Sequence, residues 1–315
     1  MKKLLVLIMI VVSIPYMVIN FFYSYEVNNL VTGFIKNKLS NEKKEEKINI
    51  RVLKGDNTVE NIDLEEYLIG VVSSEVPVSF EEEALKAQAV ASRTYALKQI
   101  ENNKDQNYDV TDNSLSQVYS NNEELKEKWG NNYEEYYNKI KKIVEETKGE
   151  YISYNNDYIY AFFFSTSNGY TEDNKNVFGA DLPYLKIVDS SFDEKESSSF
   201  LTETTFSKEE FYNKLSLPFS EELQIKNINK SESNRILYFE INNEGFKGRE
   251  FQKLLGLRSN DFDIKEDKDN IIVTTKGFGH GVGLSQYGAN ALAKQNKNYK
   301  EILKYYYQGT ELKKL

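Results

Sequence analysis

Glu75 is the carboxylate whose setting could do chemistry. It lies in GVVSSEVP (residues 70–77), behind an apolar stretch and two residues ahead of a proline that ends any helix there. Flanked by Val72 and Val76, its carboxyl is a candidate for partial desolvation, which raises a carboxyl pKa toward what a general acid needs at neutral pH. The competing reading is an ordinary loop glutamate, and with 49 acidic side chains abundance identifies none of them. The chain has no cysteine and one histidine, His280. Thiol nucleophiles, iron–sulfur clusters, cysteine zinc sites and multi-histidine metal centres are therefore excluded.

His280 sits inside GFGHGVG (residues 277–283), between a predicted strand and a predicted helix. Alternating glycines suit a backbone that approaches something closely, and a tight structural turn is the simpler alternative. The loop is not a dinucleotide fingerprint, because no acidic residue follows at the required distance in a βαβ unit, and it lacks the Gly-Lys-Ser/Thr of a P-loop. STSNG (165–169) follows an apolar strand but begins with Ser165 where a nucleophile elbow needs glycine. On the Ala-rich helix expected over residues 80–100, Lys86 and Arg93 are two turns apart and share a face, with Ala89 and Val90 between them. Two cations over a shallow apolar strip would suit an anionic polymer. Alternatively they pair with Glu82 and Glu83 at the surface.

The elements that must position these residues are legible as a mixture. Alternation predicts a strand over 48–53, a turn at Gly55-Asp56-Asn57, and a second strand over 58–62. Asp63 and Glu66 read as a reciprocal helix cap, and Ser79 as a second helix start. Residues 132–147 carry the clearest 3.6-residue periodicity, with Gly149 as a stop. Residues 150–154 and 158–164 read as a hairpin. Further on come a helix after Ser207, a strand over 236–241, a short helix over 249–255, a strand over 271–275, and helices near 285–294 and 299–307. Helices and strands alternate without regular βαβ units, so the class is α+β, mixed helices and short strands.

The 315 residues carry a net charge of −9, which argues against a nucleic-acid partner. Lys2 and Lys3 precede an apolar run over residues 4–23, long enough to cross a bilayer, and no A-x-A-like cleavage site follows. The expected layout is a cytoplasmic N-terminus (1–3), one transmembrane helix (4–23), a charged membrane-proximal spacer (24–48) and an extracytoplasmic catalytic domain (49–315).

These residues also resemble a known family. YLIGVVSSEVP (67–77), EALKAQAVASRTYA (83–96), QVY (117–119), TKGE (147–150), FSTSNGYTE (164–172), GRE (248–250) with LGLRS (255–259), and GFGHGVGLSQYGA (277–289) are similar, in order, to blocks of the stage II sporulation protein D family. The resemblance covers about residue 50 onward. It implies a grooved domain with lytic transglycosylase activity on peptide-free peptidoglycan glycan strands. Cleavage would fall between N-acetylmuramic acid and N-acetylglucosamine and leave 1,6-anhydro ends, in forespore engulfment. The family's catalytic glutamate maps onto Glu75. Its cationic and aromatic groove maps onto Lys86, Arg93, Tyr184 and Lys186, and the matching blocks add Ser167, Asn168, Tyr170, His280 and Gln286 on the substrate side. Some members bind zinc through cysteine and histidine near residues 111–119. Neither type occurs there in this chain, so no metal or cofactor is expected. The implied partners are an engulfment amidase (stage II sporulation protein P) and a membrane scaffold (stage II sporulation protein M), in the mother-cell membrane facing the septal space. A non-catalytic scaffold that binds glycan and activates an amidase is the alternative, since amidase enhancers share parts of these motifs.

Overall fold

A computed structural model describes residues 47–315. The expected N-terminal tail, membrane helix and nearly all of the spacer lie outside the described residues. No helix among the described residues is long and apolar enough to cross a membrane. Residues Asn49–Leu315 form one unit.

Strands β1 (Asn49–Leu53) and β2 (Val59–Asp63) pair antiparallel, and β3 (Val110–Thr111) pairs parallel with β1. Asp63 closes β2 and caps helix α1 (Leu64–Glu75), its Oδ1 accepting from the Glu65 and Glu66 amides. The cap is one-sided rather than the expected reciprocal box, since Glu66 faces solvent. α1 ends at Glu75 because Val76, ahead of Pro77, is extended (φ −130°, ψ 150°).

Helix α2 (Glu82–Asn102) runs through the first core. Its alanines keep its surface low, and α1, α4 (Tyr133–Glu146), α9 (Gln286–Lys294) and α10 (Tyr299–Tyr306) pack around it. The helix starts two residues after the expected position. Ser79 provides no cap; instead the Glu81 amide donates to Asn290 Oδ1 of α9 at 2.9 Å. Helix α3 (Asn122–Trp129) carries a full capping box through Asn121 and Glu124.

The expected hairpin is only half realised. β4 (Glu150–Tyr154) pairs with a short β5 (Asp157–Tyr158), with Asn155 and Asn156 turning at positive φ, while β14 (Glu311–Lys314) covers the other edge of β4. The chain then leaves. β6 (Phe163–Phe164) pairs parallel with β13 (Leu284–Ser285), 121 residues away. That pairing sets the FSTSNG segment against the GFGHGVG loop. Two short helices follow, α5 (Asn174–Phe178) and α6 (Asp193–Glu196).

Residues 201–276 build a second core. β7 (Leu201–Ser207), β11 (Phe262–Asp267) and β12 (Asn270–Lys276) form one sheet, and β8 (Ile225–Lys230), β9 (Ile236–Ile241) and β10 (Glu244–Lys247) another. Helices α7 (Lys208–Lys214) and α8 (Gly248–Leu255) complete it. Phe206, Phe211, Tyr212, Phe239, Phe251 and Phe262 interlock at the centre, each contributing about 1.5–3 kcal/mol by burial. The chain then returns through the glycine loop to the first core.

Candidate functional site

Glu75 is the last helical residue of α1, where the carbonyl end of the helix dipole disfavours a negative charge. Its Oε1 accepts the Val118 amide at 2.7 Å, and the Gln286 side chain bonds it from the start of α9. Burial pushes the Glu75 carboxyl above its ordinary 4.5, and these two bonds only partly oppose that push. No second carboxylate is among the groups that shift it. The phenols of Tyr67 and Tyr95 are close enough to feel its charge, although burial is the larger cause of their raised pKa values.

Gln286 is held by its place at the start of α9 and by Gln88. Ser285 caps α9, its Oγ accepting from the Gly288 amide, and the same hydroxyl bonds buried Asp193. The Asp193 carboxylate also takes the Ser167 amide at 2.7 Å and the Ser190 hydroxyl at 2.8 Å. Gln286 Nε2 reaches Gln88 Oε1 on α2 at 3.4 Å, and Gln88 is itself tied to Ser92 Oγ at 3.0 Å. Across α1, Tyr67 stacks on Tyr119 at 5.2 Å and donates to Gln117 Oε1 at 3.2 Å. This stack fixes the loop segment that presents the Val118 amide. The result is one carboxyl with a raised pKa and a fixed amide on each side, suited to donate a proton to a leaving oxygen.

The glycine loop serves the fold. Its backbone is left-handed at Gly277 and Gly283 (φ 79° and 81°). A methyl at Gly283 would meet the Phe162 carbonyl oxygen, and one at Gly277 would lie 2.8 Å from the Thr166 carbonyl oxygen. The close approach is therefore to the chain's own 162–168 segment. His280 is caged by Phe162, Phe164 and Phe178, with ring centroids 6.1, 5.8 and 5.3 Å away. Its Nδ1 accepts the Val282 amide at 3.1 Å, and its other nitrogen is left to donate to the Phe163 carbonyl. Burial, with Arg249 and Arg235 nearby, pushes its pKa down to about 3. This places His280, expected on the substrate side, with its ring nitrogens on backbone partners. It also leaves no nitrogen to activate a serine.

The open cationic face on α2 is absent, which corrects the expected groove role of Lys86 and Arg93. Ala89 and Val90 are fully buried. Arg93 is 0% exposed, paired with Glu65 at 2.6 Å and donating to the Glu150 and Val144 carbonyls. Lys86 bonds Glu83 at 3.0 Å and Glu146 at 2.9 Å. Glu82, the other expected partner, instead lies near Lys142. The helix needs an inward cation because α1 and the α4–β4 turn place a carboxylate and two carbonyls against it.

The remaining expected residues, apart from the exposed Tyr170 ring, are tied up by the fold. Lys186 pairs with Asp173 at 2.9 Å and with Asp181. Tyr184 is buried beside Tyr154, its hydroxyl accepting the Tyr160 amide at 3.3 Å. Ser167 is buried and donates to the Ser190 carbonyl. Asn168 donates to the Ser233 carbonyl and to Asp261, both at 2.7 Å, joining the two cores. Tyr170 is exposed, and its carbonyl accepts from Arg235. Of the expected set, the structure brings Gln286 onto Glu75 and leaves the others on their own partners. Tyr67, Tyr95 and Gln88 were missed by sequence reading, although they lie in the same two motif blocks, facing inward. Aromatic contacts then run from Tyr95 through Phe162 to His280.

Comparison with known proteins decides the family. A family model described as a stage II sporulation protein matches residues 53–154. Stage II sporulation protein D of Bacillus subtilis (strain 168) is 40% identical over 260 residues, 81% of this chain and 76% of that protein. The protein of the same name from Bacillus amyloliquefaciens is 43% identical over 275 residues, 85% of this chain and 80% of that protein.

The chain belongs to the stage II sporulation protein D family.

Membership carries a role in sporulation. The family model covers α1, α2 and the hairpin as far as β4, and so includes Glu75 and the Val118 amide. A protein named amidase enhancer, from Bacillus subtilis (strain 168), is 29% identical over 299 residues, 78% of this chain and 40% of that protein.

Proposed function

We propose that this family member is a membrane-anchored lytic transglycosylase. It cleaves peptide-free glycan strands between N-acetylmuramic acid and N-acetylglucosamine during forespore engulfment. The carrying observation is the Glu75 carboxyl, its pKa raised by burial and its oxygens flanked by two fixed amides. Protonated Glu75 gives its proton to the glycosidic oxygen as the C1–O bond breaks. The resulting carboxylate takes the proton of the muramyl 6-hydroxyl as that oxygen bonds C1. The proton count closes with no water consumed, so one carboxyl serves as acid and then base, where hydrolysis would call for two. The Val118 amide and Gln286 stabilise the transient carboxylate.

The anchored catalytic unit would face the septal space from the mother-cell membrane. The amidase stage II sporulation protein P would supply stripped strands, and stage II sporulation protein M would be the scaffold. The experiment incubates the purified chain and Glu75→Gln with denuded strands and weighs the products. Anhydro-muramyl ends from the unmodified chain alone support the proposal, and products heavier by one water would replace it with hydrolysis. Similarity to an amidase enhancer favours a second reading, a non-catalytic glycan scaffold. Glycan binding with accelerated amidase and no glycan products would establish that reading.

A further inference from the structure

A cavity lies beside the segment that follows Glu75. It has a volume of about 410 Å³, within the about 300–1,000 Å³ of small-ligand sites. Val76 and Pro77, the two residues after Glu75, form one wall. Trp129 and Tyr136 form another, their rings perpendicular (90°) with centroids 5.7 Å apart. Lys128, Lys139 and Glu135 supply the charge.

The two lysines differ from those elsewhere on this face. Neither has a carboxylate within ion-pair distance among the described residues. Lys128 Nζ donates to the Ser73 carbonyl at 2.9 Å, in the last turn of α1, which has no basic residue of its own. Lys139 Nζ donates to the Val78 carbonyl at 2.7 Å and the Phe80 carbonyl at 3.2 Å. An ammonium has three donors, so Lys128 keeps two and Lys139 one. The carbonyls fix both heads in place without cancelling their charge. Burial also lowers the Lys128 pKa, so its ammonium lacks full hydration. Flat aromatic walls suit the apolar face of a pyranose ring. Fixed unpaired ammonium groups suit a carboxylate, and Glu135 suits sugar hydroxyls.

We propose that the Trp129–Tyr136–Lys128–Lys139 cavity is a saccharide subsite for an acetamido sugar bearing a carboxylate, the next sugar along a strand engaged at Glu75. The assignment of the ligand rests on the glycan-strand reading above. A pyranose ring stacks on Trp129, and its carboxylate takes the spare N–H groups of Lys128 and Lys139.

Trp129 is the chain's single tryptophan, so its emission reports this cavity directly. The test titrates the full chain carrying Glu75→Gln with denuded muramyl oligosaccharide, with N-acetylglucosamine oligomers of equal length, and with lactate. The expected result is a saturable Trp129 response to the muramyl ligand. Affinity should be about tenfold weaker for the neutral oligomer, with no saturable response to lactate. Lys139→Gln should abolish the preference for the muramyl ligand and leave binding of the neutral oligomer in place. Equal responses to muramyl and neutral oligomers would overturn the carboxylate assignment. A silent Trp129 with intact cleavage by the unmodified chain would overturn the subsite and spare the enzyme reading. Saturable muramyl binding without cleavage would uphold the subsite while the enzyme reading falls.

Discussion

Glu75 and His280 are both part-buried titratable groups, and desolvation drives both toward neutrality. It raises the carboxyl and lowers the imidazole to about 3. Their chemical prospects nevertheless differ. Glu75 is bonded by two donors from outside its own helix and retains acceptor capacity. Both nitrogens of His280 are committed to backbone, of Val282 in its own loop and of Phe163 on β6. A shifted pKa marks a group as unusual; spare valence decides whether it can react. The same contrast divides the cations. Arg93 and Lys86 are consumed by carboxylates, whereas Lys128 and Lys139 meet only carbonyls and keep their charge for a ligand.

The largest effect that sharpens this contrast is on turnover. Glu75→Gln removes the proton and should lower glycan cleavage by at least about 100-fold, the lower range for a general acid–base group. Circular dichroism should show an unchanged fold, and wild-type rates from the variant would end the assignment.

Arg93→Met tests the consumed cation. It leaves Glu65 without its partner at the helix interface, and urea denaturation should show a loss of about 3 kcal/mol. That is the low end for a broken buried pair, because the Glu65 side chain keeps 24% exposure. A change in glycan affinity at full stability would instead mark Arg93 as a substrate residue.

His280 predicts a pH effect on stability. Its folded pKa lies below the ordinary 6.5, so folding favours the neutral ring. That contribution is complete above 6.5 and is lost as pH falls from there to about 3. The acid limb of the melting-temperature profile should flatten in His280→Gln, and an unchanged limb would contradict the buried neutral ring.

The smallest effect is in the rate profile. The step that breaks the glycosidic bond needs protonated Glu75, so cleavage should fall as pH rises through its folded pKa. The midpoint should lie above 4.5, the ordinary value for glutamate. A midpoint at or below it would mean that the site stabilises the carboxylate instead.

Much of the local structure was legible. The 132–147 helix appears as α4 with Gly149 left-handed beyond it, and the period of its apolar residues explains why. The second hairpin arm was misread because residues 158–164 are apolar throughout. Such a run is extended, but its pattern does not name its partner, and β6 pairs with β13 instead. The cationic face failed for a related reason. Spacing correctly placed Lys86 and Arg93 along one side of α2, but spacing carries no information on what packs there.

The sequence by itself determined the chemistry available: one candidate carboxyl before Val76-Pro77, no cysteine, a lone histidine and glycines where only left-handed backbone fits. These follow from residue type and from interactions within a few positions. Tertiary structure decided which groups remain free to react. Gln286 reaches Glu75 across 211 positions, the Val118 amide does so across 43, and Lys128 finds the Ser73 carbonyl across 55. Contacts of that range form only when helices and strands close on one another. Whether a charge meets a carboxylate or a carbonyl there depends on packing that no local pattern encodes.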